Sequence, residues 1–159
     1  MNIFIIISTA LFFLDQLTKQ LVVKFISYGH SVAIIKAKSF FNIVNISNSG
    51  VAFSMLQGRN MLFSILISVF LITIVYYIYK NKNKFSKLEK YSYCLIISGG
   101  TGNLYDRLTR GAVVDFLDFG INSLRWPSFN IADSCICAAA GLFILDITLR
   151  RKKTNEQNS

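Results

Sequence analysis

Histidine is almost absent from this chain: the single example, His30, stands in Tyr28-Gly29-His30-Ser31, a stretch that reads as an exposed turn. That scarcity removes serine–histidine and cysteine–histidine hydrolysis, which need an imidazole to carry the proton. It also removes the usual zinc designs, because there is no His-Glu-x-x-His and no cluster of His or Cys. Cysteine is nearly as rare. Cys94, Cys135 and Cys137 all fall in apolar stretches, and an odd number there suits no disulfide framework. On a helix Cys135 and Cys137 point about 200° apart, which suits no single metal, so all three are expected as buried apolar thiols. Charge is sparse as well, at 16% of residues against 53% hydrophobic. A bilayer is therefore the expected solvent.

Four apolar runs are long enough to test that expectation against a hydrocarbon layer of ~30 Å, which a helix of about 20 residues crosses. The first covers residues 3–25, interrupted by Asp15 and Lys19, and the second covers 61–79 with no charge at all. The third, 91–107, spans only if Asp106 and Arg107 sit at its end, and the fourth covers 129–149. With no linker and no internal repeat, residues 1–159 are expected to form a single membrane-embedded domain. The first run lacks a basic leader and a small-residue cleavage site, so it is read as a permanent span.

The formal charge of +9 is placed unevenly. Lys80, Lys82, Lys84, Lys87 and Lys90 crowd one short loop, and Arg150-Arg151-Lys152-Lys153 follows the fourth run. Basic residues at span ends mark the cytoplasmic side. Both termini are thus expected inside, with segments of about 26–60 and 108–128 outside. Cations at span ends are not a nucleic-acid surface, so no nucleic-acid partner is expected.

Ionisable groups in or near a span are costly and serve as site hypotheses by default. Two of the eight acids, Glu89 and Glu156, lie in the loop and tail; the other six are all aspartates. Asp146 and Arg150 stand four apart and read as an ion pair, as do Asp15 and Lys19, although the second pair could also brace a site above it. Gly99-Gly100-Thr101-Gly102 lacks the Lys-Ser/Thr and preceding strand of a phosphate loop, so the glycines read as close helix packing. Asn103, Asp106 and Arg107 follow on one face of the same helix end, and Arg107 is expected to meet a carboxylate. Asp115 and Asp118 sit among apolar residues in a segment expected to lie against the membrane. Trp126 then suits the headgroup level, Pro127 ends the loop, Asn130 can cap the next helix and Asp133 lies in its first turn.

Asp106, Asp115, Asp118 and Asp133 thus arrive at one depth, on the outer side. Two aspartates that share a proton can activate water and protonate a leaving nitrogen, because like charges a few ångströms apart do not both ionise. The alternatives are a small cation transporter or channel using the same acids, and a structural membrane protein. Transporters place their acids near the midplane between related halves, which favours surface chemistry here.

At this point the chain resembles the bacterial lipoprotein signal peptidases, or signal peptidase II, over nearly its whole length. The shared motifs are Asp15-Gln-x-x-Lys19, Asn48-Ser-Gly50-Val-Ala52-Phe53-Ser54, Gly102-Asn103-Leu-Tyr-Asp106-Arg107, Val113-Val114-Asp115-Phe116 and Phe129-Asn130-Ile-Ala132-Asp133. Val51 and Thr101 depart from the small residues usual at their positions, leaving substrate preference open. The resemblance implies a membrane all-α fold, a four-transmembrane-helix bundle with a small extracytoplasmic β cradle, for which the alternation over residues 40–46 permits strands. It implies an aspartic endopeptidase of the bacterial cytoplasmic membrane that cleaves diacylglyceryl-modified prolipoproteins before the lipidated cysteine, without metal or cofactor. By the same resemblance Asp115 and Asp133 are the dyad. Asp15, Lys19, Asn48, Gly50, Asn103, Asp106, Arg107, Asn130 and Ala132 support it. Its expected partners are the lipidated substrate and membrane lipids, and the expected state is a monomer.

Overall fold

The structure, a computed structural model, describes residues 2–50, 58–81 and 83–157. Residues 51–54 of the Asn48 motif and Lys82 of the basic loop lie outside them. Four long helices, α1 (Asn2–Phe25), α2 (Asn60–Asn81), α3 (Lys87–Arg110) and α4 (Ile131–Gln157), accompany a sheet of β1 (Ser31–Ile35), β2 (Phe41–Asn48), β3 (Val113–Ile121) and β4 (Leu124–Arg125). The strands run antiparallel in the order β1-β2-β3-β4.

The distribution of side chains is that of a protein surrounded by lipid. The largest fully buried side chains are Lys19, Asn130, Asp15, Asp106 and Ser92, whereas Phe13, Phe70 and Ile72 are among many large apolar residues left exposed. In water that arrangement would be inverted. Three helical stretches are long and apolar enough to cross a membrane: Ile3–Phe25, Asn60–Asn81 and Ile131–Lys152. The remaining long helix, α3, is less apolar because it is the shared partner of the other three. Its polar residues are hidden from lipid by its neighbours, with Ser92, Ser98, Asn103, Asp106 and Arg107 all buried.

Close approach at that centre depends on glycine. A Cβ on Gly99 would stand 2.3 Å from the carbonyl oxygen of Ala132 in α4, and one on Gly102 would stand 2.7 Å from Asp15 Oδ2 in α1. The glycine run is thus a packing device. Helix ends are set locally. Ser86 Oγ accepts from Glu89 N at 3.0 Å while Ser86 N donates to the Glu89 carboxylate at 2.8 Å, a reciprocal cap for α3. Gly111 at φ 77° then closes its other end. At the basic end Arg150 bridges Asp146 at 2.6 Å and Glu89 at 2.5 Å, so the expected Asp146–Arg150 pair forms and also ties α4 to α3.

Several sequence expectations are refined. The segment around Asp115 and Asp118, expected to lie against the membrane, is the strand β3, paired with β2 from Phe41↔Phe119 to Asn48↔Val113. Its β-branched and aromatic residues favour a strand, and Val114 and Phe116 pack on Val22 at the end of α1. Cys94 and Cys135 are buried, but Cys137 is exposed, on the opposite side of α4 from Cys135. His30 is exposed beside the turn at Gly29, as expected.

Gly99→Ala should cost about 1–3 kcal/mol by overpacking α3 against the α4 backbone, read as a lowered unfolding midpoint in detergent. Gly141→Ala, where a Cβ meets nothing within 4 Å, should be neutral or slightly stabilising.

Candidate active site

At the end of the bundle where the sheet docks, the N-terminus of α4 and the strand β3 bring Asp133 and Asp115 to one residue, Asn130. Asn130 and Asp133 occupy the N-cap and third helical positions of α4 and cap reciprocally. Asp133 N donates to Asn130 Oδ1 at 2.9 Å, and Asn130 N donates to Asp133 Oδ2 at 3.2 Å. With its side-chain oxygen so engaged, Asn130 turns its amide group outward and donates from Nδ2 to Asp115 Oδ1 at 2.8 Å. One asparagine thus holds both carboxylates.

Two further asparagines are oriented in the same way. Asn48 Oδ1 accepts from Gly50 N at 3.0 Å, leaving Nδ2 to donate to Asp115 Oδ2 at 3.1 Å. Asn48 lies opposite Val113 in the β2–β3 pairing, so it reaches Asp115 on the diagonal. Asn103 Oδ1 accepts from Lys19 Nζ at 3.2 Å and from Asn130 Nδ2 at 3.3 Å, so its own Nδ2 donates to Asp133 Oδ1 at 2.7 Å. An aspartate at any of these three positions could not donate at neutral pH.

Lys19 anchors this arrangement from below. Its ammonium, 0% exposed, lies 2.8 Å from Asp15, 2.8 Å from Asp106 and 3.2 Å from Asn103 Oδ1, so its three protons have three partners. Asp15 passes the order on through its Oδ1, which accepts from Ala132 N in the first turn of α4 at 2.9 Å. Asp106 Oδ2 accepts from Val114 N, next to Asp115, at 3.3 Å. A lysine triad therefore fixes α1, α3, α4 and β3 around the dyad.

Burial and the neighbouring Asp133 charge push the Asp115 carboxyl up to about 7, against hydrogen bonds from Asn48 and Asn130 and the charge of Lys19, which pull it down. Such a pair holds one proton near neutral pH, and its titration belongs to both carboxyls. Each carboxylate oxygen accepts one of the hydrogen bonds given above, leaving further lone-pair capacity for a water or a shared proton. Among the described residues no group of His, Cys, Asp and Glu could hold a metal ion.

The four acids expected at one surface are therefore sorted by the fold. Asp118, three residues from Asp115, points to the opposite face of β3. There it pairs with Arg125 at 2.5 Å and accepts from Asn42 at 2.9 Å, which secures the β3–β4 turn. Asp106 belongs to the lysine triad. Arg107 does not meet the carboxylate expected of it. Its guanidinium donates to Gly50 O at 2.7 Å and to Asn103 O at 3.4 Å and lies 6.0 Å from the Phe63 ring, so it ties the Asn48–Gly50 turn to α3. Backbone carbonyls take its two terminal nitrogens, while Nε is buried without a hydrogen-bond partner among the described residues.

Two participants had no role assigned from the sequence. Gln16, buried, donates to Asp15 Oδ2 at 3.1 Å and to Gly102 O at 3.2 Å, and Asn60 donates to Arg107 O at 3.0 Å. The signal available for Gln16 is its place as a polar residue directly after Asp15 within an apolar run.

The chain is similar to known proteins over nearly its whole length. Residues 7–149 match the family model described as signal peptidase (SPase) II. The lipoprotein signal peptidase of Bacillus pumilus is 39% identical over 154 residues, covering 97% of each chain. That of Alteromonas mediterranea is 37% identical over 158 residues, covering 98% of this chain and 85% of its own. Two solved bacterial membrane enzyme structures superpose with TM-scores of 0.84 and 0.81, each at 31% identity, covering 98% and 92% of this chain. The match runs through every element that carries a site residue, and the chain belongs to the signal peptidase II family, as a membrane-embedded aspartic peptidase.

Proposed function

We propose that the chain removes the signal peptide from diacylglyceryl-modified prolipoproteins, cleaving before the lipidated cysteine, with Asp115 and Asp133 as the catalytic dyad. The observation that carries this reading is that Asn130 hydrogen-bonds both carboxylates, while Asp106 and Asp118 are each engaged elsewhere. In the dyad's single-proton state one carboxyl takes a proton from water as that water attacks the scissile carbonyl. The other gives its proton to the leaving nitrogen, and the amide bond breaks. Asn48, Asn103 and Asn130 orient the carboxyls. Lys19 holds Asn103, Asp15 holds the α4 terminus through the Ala132 N–H, Asp106 holds β3 through the Val114 N–H, and Arg107 holds Gly50, whose N–H orients Asn48. A substrate whose acyl chains stay in the bilayer suits a site where a small sheet meets the helix ends.

Residues 1–159 act as one domain and all four helices cross the bacterial cytoplasmic membrane. At 24 residues and ~1.5 Å per residue, α3 is long enough, and its neighbours cover its polar positions. The lysine-rich α2–α3 loop and the cations after α4 put both termini in the cytoplasm and the dyad near the outer surface. The chain works as a monomer. A cation transporter reading finds less support, because these acids accept hydrogen bonds from asparagines and a lysine at one end of the bundle.

Asp115→Asn and Asp133→Asn should each lower cleavage of a purified diacylglyceryl precursor by at least about 100-fold, the scale of a lost acid–base group, with the fold intact by circular dichroism. Asp118→Asn should keep most of the activity; an equal loss there would mean that the wrong acid is named. Lys19→Met leaves Asp15 and Asp106 buried without their cation and should cost about 3–5 kcal/mol, measured by denaturant unfolding in detergent.

A further inference from the structure

The end of the bundle opposite the dyad contains an open cleft of about 530 Å³ between α1 and α2, floored by α3. Both α1 and α2 pack on α3 and make few contacts with each other. The walls are apolar, with Phe4 and Ile5 from α1, Ile78 from α2, and Phe85 and Ile97 from the loop and α3. Of the polar groups in the lining, Ser8 Oγ donates to Cys94 O at 3.2 Å and Cys94 Sγ donates to Phe4 O at 3.1 Å, and Thr9, Asn83 and Tyr93 complete it. The lining as a whole is predominantly apolar, which suits an acyl chain.

At the cleft's polar rim stands Lys90, half-buried and lining the cavity. Among the described residues no carboxylate lies within ion-pair distance of its ammonium. The acids nearest in the fold are consumed, since Glu89 and Asp146 both bind Arg150 and both hydrogen-bond Ser86. Lys80, Lys84 and Lys87 add positive charge at the same helix ends. A half-buried cation over a predominantly apolar slot thus has no carboxylate partner among the described residues.

We propose that this cleft is a binding site for an anionic phospholipid, one acyl chain lying between α1 and α2 and the headgroup phosphate at Lys90. Basic pockets between helices at a cytoplasmic membrane face select anionic headgroups. The charge argues against the other candidate occupant, a signal-peptide segment, whose own leading region is positively charged. Lys90 and Asn103 are thirteen residues apart on α3, ~20 Å at helical rise. The site is therefore separate from the dyad and does not depend on the peptidase reading.

The test is retention of lipid by the full-length protein in native mass spectrometry, after exposure in detergent to equimolar phosphatidylglycerol and phosphatidylcholine. Wild type should retain one phosphatidylglycerol in preference to phosphatidylcholine by about fivefold, the scale of one cation at an anionic lipid surface. Lys90→Gln should bring that ratio close to one, and Ile97→Phe, which fills the slot, should reduce retention of both lipids. Lys84→Gln, exposed and outside the cleft, should keep the preference, and the free glycerophosphoglycerol headgroup should not compete. Equal retention of the two lipids by wild type, equal loss in Lys84→Gln and Lys90→Gln, or displacement of lipid by a lysine-bearing signal-peptide segment would each overturn the proposal. If Ile97→Phe does not fold, the Lys90 and Lys84 variants decide.

Discussion

The buried ammonium of Lys19 is the interaction on which the rest of the site depends. A charge with no exposure is tolerated only where it is fully partnered, and here Asp15, Asp106 and Asn103 take all three of its protons. Each partner then does a second task. Asp15 receives the Ala132 N–H and so fixes the start of α4, Asp106 receives the Val114 N–H and so fixes β3, and Asn103 donates to Asp133. A single cation thereby determines how two separately formed elements, a helix terminus and a strand, meet at Asn130. The apolar surface of the bundle does not specify this meeting, because lipid covers apolar surface almost as well as protein does.

Specific geometry in this protein therefore comes from two sources, close backbone approach at Gly99 and Gly102 and polar contacts in the interior. They are linked physically. The absence of a side chain at Gly99 and Gly102 lets Asp15 and Ala132 come near enough to bond, and that bond helps to fix the start of α4 that carries Asp133. The asparagines are equally constrained, since Asn48, Asn103 and Asn130 each have their oxygen occupied by a donor and so present an amide to a carboxylate. Such pre-orientation is what an acid–base pair needs before substrate arrives.

Much of this was legible in the sequence. The bundle could be read from apolar run lengths, the cap at Asn130 and Asp133 from their spacing, the glycine packing from the absence of a phosphate-loop context, and the Asp146–Arg150 pair from its four-residue interval. The hydropathy of α3 is a weaker guide, because a helix enclosed by three others need not be apolar all round. Separating Asp115 from Asp118 required knowing that residues 113–121 form a strand, in which residues three apart face opposite ways. Arg107 departs from expectation for a related reason: carboxylates are near it in sequence, but Lys19 lies in another helix and takes Asp106 first. Long-range competition for partners leaves no local trace.

The central claim is that Asp115 and Asp133 act as one proton-sharing pair, and the most direct measurement is the titration of the Asp115 carboxyl by carbon-detected NMR of the full chain in detergent micelles. The account predicts an apparent midpoint of about 7 in wild type, moving down when Asp133→Asn removes the neighbouring charge. A midpoint in the ordinary aspartate range near 4, unmoved by Asp133→Asn, would contradict it.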